Sequence, residues 1–353
     1  MSQLVLARSY ELGYSSITNG TIQSTNGDYV LAGRLFDVNS KSSAFALRAA
    51  GDGNLIWYKE YTSQYSDFFQ AITQISDGNF IATGSYFYSE FAGDEYLWIV
   101  KLNEAGEKIW EKQLGNVNEQ TDGYDVTATA DGGFAVTGLI REKETSNLFT
   151  WVLKFDSDGN LQWDKKFSSG VAYSINQTKD LGYILSGYHL LPGGLNSNIY
   201  ILRLDPAGNI IWSKIYDEYE IYVLLDSDIK ETANGHFIVA AKSVVMEIGA
   251  CGNIIWSFQN EAFNMSSVLQ TPEGNYGLGG SLIVNNVDHA YIAVIDRCGK
   301  QILWDNTELL YPSGLTQIFV NQAGYTTAGG YVPLNSNQYQ SILAIFNPAE
   351  SVN

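Results

Sequence analysis

The chain has 353 residues, 45% of them hydrophobic, which is ample for a large core and excludes wholesale disorder. Its 38 acidic against 20 basic side chains leave a formal charge of −18, the wrong sign for a nucleic-acid backbone as partner. The two cysteines cannot build a disulfide scaffold, and no run approaches the roughly 18 apolar residues that span a bilayer.

The first segment, MSQLVLARSYELGYSS, has no basic stretch followed by an apolar run, so it does not read as a signal peptide. The expected location is the cytoplasm, release by a signal-independent route, or the extracellular space if a signal has been trimmed. From residue 26 two blocks alternate along the chain. One is a turn, an aromatic residue and, four positions on, a glycine: NGDYVLAG at 26–33, DGNFIATG at 77–84, DGGFAVTG at 131–138, DLGYILSG at 180–187, NGHFIVAA at 234–241, EGNYGLGG at 273–280 and QAGYTTAG at 322–329. The fifth copy diverges, with Ala241 where the others end in glycine.

The other block carries a tryptophan: AAGDGNLIWYKEY at 49–61, LNEAGEKIWEKQL at 102–114, FDSDGNLQWDKKF at 155–167, LDPAGNIIWSKIY at 204–216, IGACGNIIWSFQN at 248–260 and IDRCGKQILWDNT at 295–307. Trp57, Trp110, Trp163, Trp212, Trp256 and Trp304 hold this slot at spacings of 53, 53, 49, 44 and 48 residues.

Within the third unit, YDVTATA, FAVTGL, LFTWVLKFD and LQWDKKF read as four strands joined by two tight turns and one loop. The strands alternate or are apolar throughout, Asp-Gly and Asn-Gly demand positive φ, and no window has helical periodicity. Seven turn blocks against six tryptophan blocks leave the last unit one strand short. LVLARSY at 4–10 resembles the missing strand. The expected fold is all-β, a seven-bladed β-propeller of four-stranded blades closed by the N-terminal strand completing the last blade. The expected organisation is a single domain over 1–353, with blades at about 12–61, 62–114, 119–167, 168–216, 217–260, 261–310 and 311–347 plus 3–10. The six tryptophans are expected to dock blade on blade, with Trp98 and Trp151 in the core. Gly33, Gly84, Gly138, Gly187, Gly280 and Gly329 are expected to admit the neighbouring blade closely.

The D-x-x-G-N-x-x-W segment resembles the tryptophan-docking repeats of quinoprotein-type propellers. The full unit is more similar to repeats of exported bacterial propeller proteins. The resemblance implies a propeller and carries over no site, since propellers host unrelated activities. No segment matches the quinone-binding machinery.

Turns between first and second strands, and between third and fourth, share one face and are uniformly short. Length variation is expected on the other face, at 37–43, 85–95, 141–147, 189–198, 283–289 and 332–338. Variable loops on a rigid scaffold make that the expected working face. Tyr86, Phe87, Tyr88 and Phe91 in the second unit are candidates for sugar stacking or a protein hot spot, against continuation of the strand inward. His189, Glu220 and Tyr222 complete the candidate set. The acidic stretch 216–228 collects Asp217, Glu218, Glu220, Asp226 and Asp228. It could hold Ca²⁺ or an acid–base pair, or be solvated surface.

Asp156-Ser157-Asp158-Gly159-Asn160 opens like a calcium loop, but Phe167 stands where the closing glutamate belongs, so it reads as a turn. His189, His236 and His289 fall in different units, which argues against zinc or histidine catalysis. No cofactor is expected, no motif specifies Ca²⁺, and no catalytic residue is assigned. Cys251 and Cys298 sit in adjacent units about 10 Å apart or more, against the roughly 7 Å limit for Cα atoms in a disulfide, so free thiols are expected. The function expected is a non-enzymatic binding or scaffold module for a protein partner or assembly. A lectin-like glycan binder and a polysaccharide hydrolase or lyase using the acidic residues are the alternatives.

Overall fold

The computed structural model describes residues 4–91, 93–191, 196–222, 227–284, 287–299, 301–305, 314–324, 326–335 and 338–346. Seven antiparallel four-stranded sheets make a seven-bladed β-propeller. In six sheets the strands follow chain order; in the seventh, Leu4–Tyr10 pairs with Gln338–Phe346 and takes the fourth place. Leu6 stands opposite Ile345, Ala7 opposite Ala344 and Arg8 opposite Leu343. The first strand of the first blade, Ser15–Gln23, packs on this last sheet.

The N-terminal strand mimics the tryptophan block it replaces. Tyr61 donates its hydroxyl to Gly106 O at 2.7 Å, and Tyr10 donates to Gly53 O at 3.0 Å. Trp57, four residues before Tyr61, packs on Gly106; Leu6, four before Tyr10, packs with Arg8 on Gly53.

The chain divides into two compact units, Met1–Ser40 with Leu47–Ile56 and Asp226–Asn353, and Lys41–Ala46 with Trp57–Leu225. In the second unit Trp57 lies on Gly106, Trp110 on Gly159 and Trp163 on Gly208; in the first unit Trp256 lies on Gly299. Each of these glycines has positive φ, between 75° and 84°, so the turn itself requires glycine and its missing side chain makes room for the indole. Trp212 is half-buried, Trp98 is buried, and the Trp304 side chain lies outside the described residues.

The block-closing glycines serve their own blade. A Cβ on Gly84 would stand 2.0 Å from Phe68 O, and on Gly187 1.9 Å from Val171 O, both on the adjacent first strand. Opposite five of these glycines the first strand carries a β-bulge, at Thr18/Gly20, Phe69/Ala71, Gly123/Asp125, Ala172/Ser174 and Met265/Ser267, and the seventh blade has one at Leu315/Gln317. The bulge thrusts a carbonyl into the space a side chain would fill. In the divergent fifth blade Ala241 replaces glycine, and the Ser227–Glu231 ladder has no bulge. The nearest obstacle at Gly33, Gly84, Gly138, Gly187 and Gly280 is thus their own blade's first strand, while the expected neighbouring-blade approach is met at Gly138, where Leu97 of the second blade stands 2.8 Å from the Cβ position. Gly329 is the exception, its Cβ meeting Thr21 Oγ1 of the first blade at 1.8 Å. The bulge-facing residue of the seventh blade is Gly330, because its turn runs one residue out of step with the aromatic.

Neighbouring first strands are latched by side chains just past the bulge. Ile175 N donates to Asp125 Oδ2 at 2.9 Å, Ile318 N to Ser267 Oγ at 3.2 Å, and Thr21 N to Gln317 Oε1 at 2.7 Å. Asp228 does the same in the bulge-free fifth blade, accepting from Val268 N at 3.1 Å and Ser267 Oγ at 3.0 Å. Asp228 is therefore a buried structural acceptor, not part of a solvated acidic surface.

Strands run further than expected on the variable side. Phe80–Phe87 includes Tyr86 and Phe87, Tyr183–Leu190 includes His189, and Ile210–Tyr222 extends past Tyr216. Second and third strands are therefore joined by seven residues in the second blade, 88–94, but by two in the fifth, Lys242 and Ser243. Where all their residues are described, the turns of the opposite face are uniform five-residue loops, each closed by a pair of backbone bonds such as Ser24 N to Asp28 O and Gly27 N to Ser24 O.

Candidate functional site

The variable side of the second unit gathers the polar chemistry. In the second blade, Tyr88 stacks on Tyr96 with centroids 4.5 Å apart and donates to Asp94 Oδ1 at 3.1 Å. Lys143, from the third blade's loop, reaches Tyr88 Oη at 2.8 Å and Asp94 Oδ1 at 2.5 Å. The lysine, with Ser89 next in effect, holds the Asp94 pKa down to about 2, and Asp94 in turn raises that of Lys143. The two loops are therefore pinned together. Tyr86 stands edge-on to Trp98 at 5.9 Å and Phe87 lies 6.4 Å from Phe68, so both continue the strand. Of the four aromatic candidates Phe91 is the exposed one, at 68%.

Beneath them lies a buried carboxyl pair. Gln120 Nε2 donates to Glu95 Oε1 at 2.5 Å and to Asp122 Oδ2 at 3.3 Å, while Ser85 Oγ donates to Asp122 Oδ1 at 2.5 Å. Burial first, and the charge of Asp122 second, push the Glu95 pKa up to about 7. The pair lies in no described cavity. Lys143, Glu95 and Asp122 were not legible as a group, because they come from three strands or loops and share no motif.

His189 belongs to a separate cleft of about 490 Å³ between the third and fourth blades. Its walls are Asn147, Leu148 and Phe149 on one side and Tyr188, His189 and Leu190 on the other, with Ser168 and Gly170 between them. Thr150 fixes the floor: its hydroxyl donates to Gly170 O at 2.7 Å and accepts from Ala172 N at 2.9 Å. His189 Nδ1 is 2.6 Å from Ser169 O. A carbonyl only accepts, so Nδ1 carries a proton and Nε2 is the ring nitrogen left for another partner.

The candidate side chains of Glu220 and Tyr222, and all of Asp226, lie outside the described residues; the backbone of Glu220 and Tyr222 pairs with Asn198 and Asn196. His236 is at a turn on the opposite face, 2.7 Å from Glu247, and His289 is on the sixth blade opposite Leu282. Among the described residues no three acidic, histidine or cysteine side chains converge as a metal site. Cys251 and Cys298 are free and exposed.

A second hollow, of about 420 Å³, lies between the fourth strands of the first two blades, beside Lys59, Glu60, Tyr86, Trp98 and Glu111. Trp98 donates its N–H to Glu111 at 3.0 Å and is buried, so it offers no open platform.

No protein-family profile matches the chain, and no curated protein matches it in sequence. Solved structures match in fold. The WD40 β-propeller domain of Doa1 is 11% identical, with a TM-score of 0.61 over 99% of each chain. The Dos1 propeller is 9% identical, with a TM-score of 0.60 over 98% of this chain and 95% of its own. A BBS1N structure, solved in complex with ARL6DN, is 11% identical, with a TM-score of 0.53 over 100% of this chain and 99% of its own. At such identities the likeness concerns the fold.

Proposed function

We propose that this propeller is a non-enzymatic binding module that engages a protein partner through its variable side. The cleft between the third and fourth blades carries the reading: it has a cavity of ligand size, a rigid floor and polar groups mixed with aromatic walls. The BBS1N structure of similar fold was solved in complex with ARL6DN, which is in keeping with the reading.

The test is capture from the native source with the wild-type chain, His189→Ala, and Asp158→Ala on the opposite face. A partner retained by the wild type and Asp158→Ala but lost with His189→Ala supports the reading. Loss only with Asp158→Ala would move the site to the other face. Glycan-array binding with Ca²⁺ present and no protein retained would favour the lectin reading, and polysaccharide turnover the enzyme.

A further inference from the structure

The third blade leaves part of a sheet edge open where the fourth blade covers it. The rungs between Leu148–Phe155 and the fourth strand Leu161–Phe167 end at Thr150 opposite Phe167. Asn147, Leu148 and Phe149 continue beyond that rung along the cleft.

On the fourth blade the same rung is Ile199 opposite Tyr216. There the chain does not leave. After a bulge spanning 217–219 it returns to the sheet and pairs Glu220 with Asn198, Ile221 with Ser197 and Tyr222 with Asn196. Gly138 stands opposite Trp151 and Gly187 opposite Tyr200, so Leu148 corresponds to Ser197 and Phe149 to Asn198. The fourth blade thus carries its own short added strand on the edge that the third blade exposes.

The direction of the backbone groups follows from one bond. Glu142 N donates to Asn147 O at 3.0 Å, so Asn147 faces the second strand. Backbone polar groups alternate sides along an antiparallel strand, so those of Leu148 face the open edge. We propose that this edge is a β-augmentation site: an extended segment of the partner protein adds as a strand outside Leu148, in the place that Ile221 takes against Ser197. The occupant is an extended peptide because the fold itself covers the homologous edge with one. Its main chain bonds Leu148, its side chains enter the cleft, and Nε2 of His189 is on hand for a polar group among them. The inference rests on the reading of the cleft as the partner site and specifies how the partner binds.

The probe is a library of linear twelve-residue peptides selected on the full chain, with affinities then measured for the wild type, Leu148→Pro and Leu148→Ala. Proline removes the outward N–H without taking a bond from the ladder with the second strand, and alanine keeps the N–H while trimming the side chain. Strand addition is expected to weaken binding at least tenfold in Leu148→Pro and less than threefold in Leu148→Ala, with slowed amide exchange at Leu148 in the wild-type complex. Equal binding to the proline variant, equal losses in both variants, or a library that yields no binder each overturn it. A concentration-dependent dimer abolished by Leu148→Pro would make the occupant a second copy and overturn the partner assignment. If the native partner is lost with His189→Ala and kept by Leu148→Pro, the cleft reading stands and strand addition fails; if both variants keep it, both readings fail.

Discussion

Glu247 Oε1 lies 2.7 Å from His236 Nδ1 in the fifth blade, a charge-reversed copy of a pair used elsewhere. In the second, third and fourth blades the same third-strand position holds a buried base against a turn aspartate: Lys101 with Asp77 at 2.6 Å, Lys154 with Asp131 at 2.8 Å and Arg203 with Asp180 at 2.6 Å. Glu247 also accepts from Trp256 Nε1 at 2.8 Å and Tyr276 Oη at 2.9 Å. Burial pushes its pKa up, but the hydrogen bonds from His236, Tyr276 and Trp256 outweigh that and hold it below the ordinary 4.5.

A carboxylate with a depressed folded pKa contributes stability above its ordinary value and loses it as pH falls through the lowered one. Glu247→Gln should therefore cost about 1–3 kcal/mol at pH 7, and less as pH drops below 4.5. Urea midpoints at pH 7 and pH 3 measure this; an equal loss at both would show that the carboxylate charge contributes nothing.

Asp77→Ala should cost about 3 kcal/mol, because it takes the carboxylate from the buried Lys101 ammonium, which is left against the neutral carbonyl Ser157 O at 2.8 Å. Adding Lys101→Met should recover more than half of the loss. Chemical denaturation of the single and double variants decides it, and no recovery would locate the cost in the turn.

Gly84→Ala should destabilise by at least about 3 kcal/mol, since its Cβ would meet Phe68 O at 2.0 Å. Ala241→Gly, in the blade without the bulge, should cost at most about 1 kcal/mol. Thermal midpoints of the two variants compare the sites directly; similar losses would refute the link between glycine and bulge.

Glu95 has the opposite sign. Its pKa is raised to about 7, so the folded chain holds a proton that the unfolded chain releases above the ordinary 4.5. The associated stability is complete below 4.5 and is lost as pH rises through about 7. Glu95→Gln, which imitates the protonated form, should be more stable than the wild type at pH 8 by on the order of 2 kcal/mol. The difference should vanish by pH 4.5, the ordinary value. Melting curves across that range check it, and a destabilised variant at pH 8 would contradict the assignment.

Much of the architecture was legible because repetition multiplies weak signals. One tryptophan or one Asp-Gly turn says little, but six and seven copies in alternation count the blades, and the missing seventh tryptophan block points to the N-terminal strand. The positive φ of Gly106 and Gly159 was readable from the turn sequence alone. The bulges were not, because the glycine that permits each one lies on a different strand from the bulged residue, and only the register joins Gly84 to Phe69.

The candidate site divides the same way. The chain by itself determined which residues vary around a repeated frame, and so singled out His189 and the aromatic loop. Tertiary structure decided that Tyr86 and Phe87 belong to a strand, that Asp228 is a buried latch, and that Leu148 fronts an open edge while Ser197 does not. Local periodicity follows from backbone geometry and is written in neighbouring residues. Which edge is covered depends on where another strand stops, and that is settled only when distant segments pair.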